Sequence, residues 1–166
     1  MLTLKDDAKG IMVFYKMPEK IHIEILSASW HDLFAVQEIE RACFQEDAWP
    51  LIELMAALTL PNIVRFKAVN KDKMAGFIAG DIRHNEQTGW IMTVGVLPDY
   101  RRLGVAEELM AKCEQAMRMA HIKLSVRRSN QAAIQLYQKL GYSQVDVWRN
   151  YYHDGEDGIV MEKKIS

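Results

Sequence analysis

Val94-Gly95-Val96-Leu97-Pro98-Asp99-Tyr100-Arg101-Arg102-Leu103-Gly104-Val105-Ala106 runs from an apolar segment, through Pro98 and two arginines, into small residues that open a helical pattern. A strand that enters a short loop and leaves as a helix gathers unpaired N–H groups and the positive end of the helix dipole at one point. Gly104 and Ala106 are small enough for an anion to approach the main chain, so the stretch is a candidate phosphate cradle. An ordinary β–α loop with solvated arginines has the same spacing, and spacing alone leaves both readings open. The phosphate loop of nucleotide hydrolases needs Gly-Lys followed by Ser or Thr, and dinucleotide folds need Gly-x-Gly-x-x-Gly. Neither pattern is present.

Working outward, Val105, Leu109, Cys113, Ala116 and Ala120 recur on one helical face, and Trp90 to Val96 reads as the strand before the loop. Upstream, Ile63–Val69 and Met74–Ile82 are strand-like and joined through Asn70-Lys71-Asp72-Lys73, a hairpin signal, with a further turn at Asn85 to Gly89. Ser29 followed by Asp32 resembles a helix start, and Leu33, Val36, Ile39 and Cys43 follow at helical spacing. Pro50 is placed as a first-turn proline for a second helix carrying Leu51, Leu54, Met55 and Leu58. Ile21-His22-Ile23-Glu24-Ile25 alternates as a strand. Downstream come a strand over Ile122–Val126, a helix over Ala132–Leu140 closed by Gly141, and a hairpin of Val145–Tyr152 with Ile159–Lys163. The order predicts a single α+β, or mixed α/β, domain over residues 21–166. Residues 1–20 show no helical or strand period and read as an N-terminal extension.

With 166 residues, 49% hydrophobic and 26% charged, the chain has the composition of one globular core rather than a disordered segment. A formal charge of −1 gives no electrostatic signature of a nucleic-acid partner, so any anion site is local. The early apolar run Ile11–Tyr15 is too short to span a bilayer and lacks the plan of a signal peptide, which points to a cytoplasmic protein with no membrane partner. Cys43 and Cys113 form no Cys-x-x-Cys pair and read as buried thiols. No His, Cys or Asp cluster has metal-ligand spacing, and no metal is expected.

Arg101-Arg102-Leu103-Gly104-Val105-Ala106 resembles the pyrophosphate loop, Arg-Arg-x-Gly-x-Ala, of the GNAT acetyltransferases. Leu124-Ser125-Val126-Arg127-Arg128-Ser129-Asn130, with Ala133, Ile134, Tyr137 and Leu140-Gly141-Tyr142, resembles the signature of the ribosomal-protein-alanine and other protein N-terminal acetyltransferases. Asn150-Tyr151-Tyr152-His153-Asp154-Gly155-Glu156-Asp157 looks like their final hairpin, and the resemblance covers about Ile21 to Ser166. It implies a GNAT fold, a mostly antiparallel central sheet flanked by helices, and acetyl-CoA as co-substrate. By the same resemblance Val94, Gly95 and Val96 offer main-chain bonds to the pantetheine arm. Arg101, Arg102, Leu103, Gly104, Val105, Ala106 and Glu107 supply the pyrophosphate loop, and Asn130 bonds the cofactor. Tyr137 stands where the family has the acid that protonates the leaving thiolate, Tyr151 and Tyr152 hold the first residues of a peptide, and Met92 lines the slot for its first side chain.

One departure concerns the base. The ribosomal-protein-alanine enzymes carry a Glu where this chain has Ser125, and a second base position holds Trp90. Glu46, in the loop Glu46-Asp47-Ala48-Trp49-Pro50, lies near where some archaeal relatives have a catalytic Glu; His84 and Glu24 are weaker candidates. An α-amine, with a pKa of about 7.7–8.0, is partly neutral at pH 7 and needs less help from a base than a lysine amine at about 10.4. The implied activity is therefore direct acetyl transfer to a protein or peptide N-terminus. A small-amine acetyltransferase and a non-catalytic acyl-CoA-binding module are the alternatives, and the oligomeric state is not legible.

Overall fold

The alternating segments between residues 63 and 96 form three long strands in sequence: β4 (Ile63–Asn70), β5 (Lys73–Arg83) and β6 (Thr88–Val96), paired antiparallel through tight turns. In the computed structural model, which describes residues 2–5, 13–16 and 21–165, they are the middle of a seven-stranded sheet. Its other members are β3 (Glu24–Ser27), β7 (His121–Arg127), β8 (Ser143–Trp148) and β9 (Gly158–Lys164), in the order β3-β4-β5-β6-β7-β9-β8. All neighbours are antiparallel except β6 and β7, which run parallel because the helix between them returns the chain to the same end. β1 (Leu2–Lys5) and β2 (Val13–Lys16) form a separate antiparallel pair, where no strand period was read in the sequence.

Helices cover both faces. α1 (Leu33–Phe44) and α2 (Leu51–Thr59) bury Val36, Ile39, Leu54 and Leu58 against Phe77 and Ala79 of β5. α3 (Val105–Met117) buries Leu109, Cys113 and Met117 on the opposite face, in the same cluster as Ile78 and Ile91. α4 (Gln131–Lys139) adds Tyr137 to that cluster. The start of the helical region is fixed as its sequence predicts, with Ser29 N–H donating to Asp32 Oδ2 at 2.9 Å. Gly141 closes α4 at φ +93°, the left-handed position that favours glycine. Glu114, buried on α3, accepts from Tyr142 Oη at 2.8 Å and from Lys163 Nζ at 2.6 Å, which ties α3 to β9 and to the end of α4. Among the described residues no helix is long and apolar enough to cross a membrane.

Four expectations shift, the last hairpin among them: its leading strand is Ser143–Trp148 rather than Val145–Tyr152, so Tyr151 and Tyr152 fall in the loop. The first strand runs over Glu24–Ser27 rather than from Ile21, because its partner runs out: Glu24 already faces Val69, next to the last residue of β4. α3 ends at Met117, with Arg118 at φ 52°, so Ala120 lies beyond the helix, and Ala116, although within it, is exposed. Pro50 caps α2 one position before its first turn.

Gly95 shows how closely α1 crosses β6. A Cβ there would sit 2.8 Å from Ile39 Cγ2 and 3.2 Å from Cys43 Sγ. Gly95→Ala forces α1 off the strand and is expected to cost about 1–3 kcal/mol, read as a lower urea midpoint with unchanged slope.

Candidate active site

The parallel ladder between β6 and β7 is short. It pairs Thr88 with His121 and ends at Ile91 with Leu124, while β6 continues to Val96 and β7 to Arg127. At the same point β6 carries an extra residue: Ala79 of β5 faces Thr93 and Gly80 faces Ile91, so Met92 bulges from the ladder, 38% exposed. A bulge bends its strand, and β6 leaves β7 there. Beyond it the edges of Val94, Gly95 and Val96 that face β7 have no strand partner in the sheet register. The bulge lies at Met92 and not at Gly95, whose missing side chain makes room for α1.

At the end of β6 the loop turns through Pro98–Tyr100, and Arg102 and Gly104 both take left-handed φ, 63° and 83°. A Cβ on Gly104 would meet nothing within 4 Å, so the space in front of the first turn of α3 is open. Arg102 and Leu103 are exposed beside it. Arg101 is turned back, its Nε donating to Val96 O at 3.0 Å and its other nitrogen 3.9 Å from Cys43 Sγ. Glu107 Oε1 accepts from Lys139 Nζ at 2.8 Å, linking α3 to α4. Asn130 caps α4, its Oδ1 accepting from Ala133 N–H at 3.2 Å, which leaves the side-chain amide to other partners. Tyr137 is 8% exposed, and burial, with Tyr152 as the second cause, pushes its phenol up to about 12.

Arg127, at the end of β7, draws two loops together. Its Nε and a terminal nitrogen donate to the two oxygens of Asp47 at 2.5 and 2.8 Å, and its other nitrogen donates to Asp154 at 2.9 Å and Glu156 at 2.7 Å. The guanidinium also lies 4.1 Å from the Tyr152 ring centre. Glu156 reaches on to Ser129 N–H at 2.6 Å. The α1–α2 loop and the β8–β9 loop are therefore clamped to one side chain on either side of the opening. An aromatic row follows across the outer face: Trp90 stacks on Trp148 at 5.5 Å, Trp148 meets Tyr151 at 4.9 Å, and Tyr151 meets Tyr152 edge-on at 5.1 Å.

Some candidates fall elsewhere. His84 sits in the β5–β6 turn, at the end of β6 opposite the opening, and Glu24 is on the edge strand β3. The Glu46 side chain lies outside the described residues. Cys113 is fully buried with its thiol pushed up to about 12 by burial. Cys43 is only half-buried, and burial likewise raises its thiol while it donates to Val96 O at 3.4 Å. Both are poor thiolates. Among the described residues no three His, Cys, Asp or Glu side chains gather to hold a metal. Two residues escaped sequence reading: Arg127 as a clamp, and Glu40, buried on α1. Glu40 follows Val36 by four residues, on the apolar stripe, and that spacing was the available signal.

The Arg127 clamp titrates. Arg127 is the first cause that holds Asp154 below the ordinary carboxylate range, whereas for Glu156 the Ser129 N–H comes first. A folded-state pKa below the unfolded value stabilises fully above about pH 4 and is lost as the pH falls through the depressed value. Glu156 N–H donates to Asp154 Oδ1 at 3.1 Å, so its amide resonance reports this titration. Its midpoint is expected below the ordinary aspartate value of about 3.9, and Arg127→Met should raise it towards that value.

Comparison with known proteins bears on this arrangement. The model of the Acetyltransferase (GNAT) family matches residues 23–142. The chain is 33% identical over 148 residues to the N-terminal acetyltransferase A complex catalytic subunit NAA10 of Arabidopsis thaliana, covering 85% of this chain and 77% of that one. It is 36% identical over 149 residues to the ribosomal protein bS18-alanine N-acetyltransferase of Escherichia coli K12, covering 86% and 97%. The crystal structure of the Escherichia coli ribosomal-protein-S18-alanine N-acetyltransferase superposes with a TM-score of 0.79 at 30% identity, over 87% of this chain and 95% of that one.

Proposed function

Because the chain belongs to the Acetyltransferase (GNAT) family, we propose that it transfers the acetyl group of acetyl-CoA to the α-amine at the N-terminus of a protein or peptide. The observation that carries this reading is the parting of β6 from β7 at the Met92 bulge, with two clamped loops flanking it. Two relatives named for N-terminal acetylation, at 33% and 36% identity, support the acceptor class.

The residues fit acetyl-CoA as substrate. Val94 and Val96 offer main-chain groups on the edge that β7 has left, as an added strand would use them. The first turn of α3, Gly104 to Glu107, has N–H groups facing open space, and Arg102 adds a charge for the pyrophosphate. Arg101 supports the strand end through Val96. Met92, Tyr151 and Tyr152 would line the acceptor side, with Arg127 over the Tyr152 ring and Tyr151 edge-on to Tyr152.

In the transfer, the neutral amine forms a bond to the thioester carbonyl carbon, the C–S bond breaks, and the amine nitrogen loses a proton. Tyr137, with a phenol at about 12, stays protonated at neutral pH and can only donate. A thiol has a pKa of about 8.5, so full transfer from this phenol runs uphill. Its contribution is a hydrogen bond that strengthens as charge grows on sulfur, while the proton shed by the amine balances the thiolate. A strong base is unnecessary for an amine already partly neutral, which accounts for Ser125 and Trp90 in the family's base positions.

Thiol release from acetyl-CoA with a panel of peptides and small amines tests the reading. Peptides with a free α-amine are expected to turn over, N-acetylated peptides and lysine side chains are not, and kcat/KM should rise with pH towards the α-amine pKa of about 7.7–8.0. Release with small amines alone, or with none, overturns it. Tyr137→Phe is expected to lower kcat about 100-fold while calorimetric acetyl-CoA affinity stays within about twofold.

A further inference from the structure

Glu40 is 1% exposed, in the interface where α1 crosses β6. Its Oε1 accepts from Thr93 Oγ1 at 2.6 Å, and its Oε2 accepts from Trp49 N–H at 3.4 Å. Neither partner is a cation. One turn further along α1, the Arg101 guanidinium lies against Cys43 Sγ at 3.9 Å. Burial pushes the Glu40 carboxyl up, and the two hydrogen bonds only offset part of that. A buried carboxylate with such partners is a poor source of stability, since an apolar side chain of similar volume avoids the desolvation altogether.

What Glu40 joins is more informative than what it stabilises. Thr93 is the first residue after the Met92 bulge, on the part of β6 that has left β7. Trp49 lies in the α1–α2 loop, two residues after the Asp47 that Arg127 grips. One series of bonds therefore runs from the bulge through Glu40 to the α1–α2 loop, and through Arg127 to the β8–β9 loop. We propose that Glu40 is a positioning residue for acetyl transfer, fixing the α1–α2 loop against the bulged strand and so setting the distance between acceptor amine and thioester. This rests on the reading that the acceptor enters between the two clamped loops.

Two substitutions separate geometry from charge. Glu40→Leu removes both bonds and keeps an apolar filling. Glu40→Gln keeps both without the charge, its carbonyl oxygen accepting from Trp49 N–H and its amide donating to Thr93 Oγ1. In Glu40→Leu, amide hydrogen exchange at Trp49 is expected to quicken about tenfold or more, and peptide kcat/KM to fall about tenfold to 100-fold, with calorimetric acetyl-CoA affinity within about twofold of the parent. Glu40→Gln is expected to recover most of both. Unchanged exchange at Trp49 in Glu40→Leu overturns the link whatever the enzyme acetylates. Faster exchange with parental kcat/KM overturns its role in transfer. A Glu40→Gln protein as impaired as Glu40→Leu overturns positioning in favour of a need for the charge. Should Glu40→Leu fail to fold, Thr93→Val breaks one of the two bonds at constant shape and must lower kcat/KM in the same direction. A parent that turns over no peptide removes the acceptor reading and this role with it, while the exchange experiment still reports the link.

Discussion

A parallel pair of strands can share hydrogen bonds only while both follow the same twist, and here the sharing stops after Ile91 and Leu124. The extra residue at Met92 bends β6 one way while β7 carries on towards Arg127. Helices hold the two sides apart: α1 lies against Gly95 with almost no clearance, and α3 packs on the opposite face through Leu109 and Met117. An exposed main-chain edge is ordinarily a liability in a sheet. In this fold α1 and α3 pack on the two faces of the sheet beside it, and the proposed function has acetyl-CoA pair with it.

Electrostatics is organised around the same opening. At the start of α3 the space around Gly104 is open, and the proposed function puts the pyrophosphate there. Between the two loops, three carboxylates, those of Asp47, Asp154 and Glu156, converge on the Arg127 guanidinium, where the proposed function has the acceptor enter. Tyr137 and Tyr152 have phenols that are both pushed up to about 12, chiefly by burial. Hydroxyls in such surroundings donate hydrogen bonds and resist ionisation, which is the behaviour needed beside a leaving sulfur.

Local features were readable from the chain. The left-handed closure at Gly141, the Ser29–Asp32 start and the burial of Val36, Ile39, Leu109 and Cys113 each depend on residues within a turn or two of one another. The turn at Gly104 that opens α3 was readable because Gly104 and its neighbours are contiguous. The bulge at Met92 was not, since it exists only relative to the register of β5. Likewise Arg127 and Asp47 are separated by 80 positions, and Glu40 and Thr93 by 53, so no periodicity brings them together. The fold of Arg101 back onto Val96 O and against Cys43, 58 positions away, was not readable either.

The strand order also has a bearing on how the molecule comes to be made. β7 lies between β6 and β9, yet β9 begins only at Gly158, thirty residues and a helix after β7 has ended at Arg127. On a ribosome, the antiparallel block of β4, β5 and β6 can assemble from near neighbours, but β7 keeps one bare side until the far downstream strand arrives. Through that interval Arg127 also lacks Asp154 and Glu156. A nascent chain can thus hold β4, β5 and β6 in place before the β8–β9 loop exists, and a chain interrupted ahead of Gly158 retains a sticky, unpaired β7 edge.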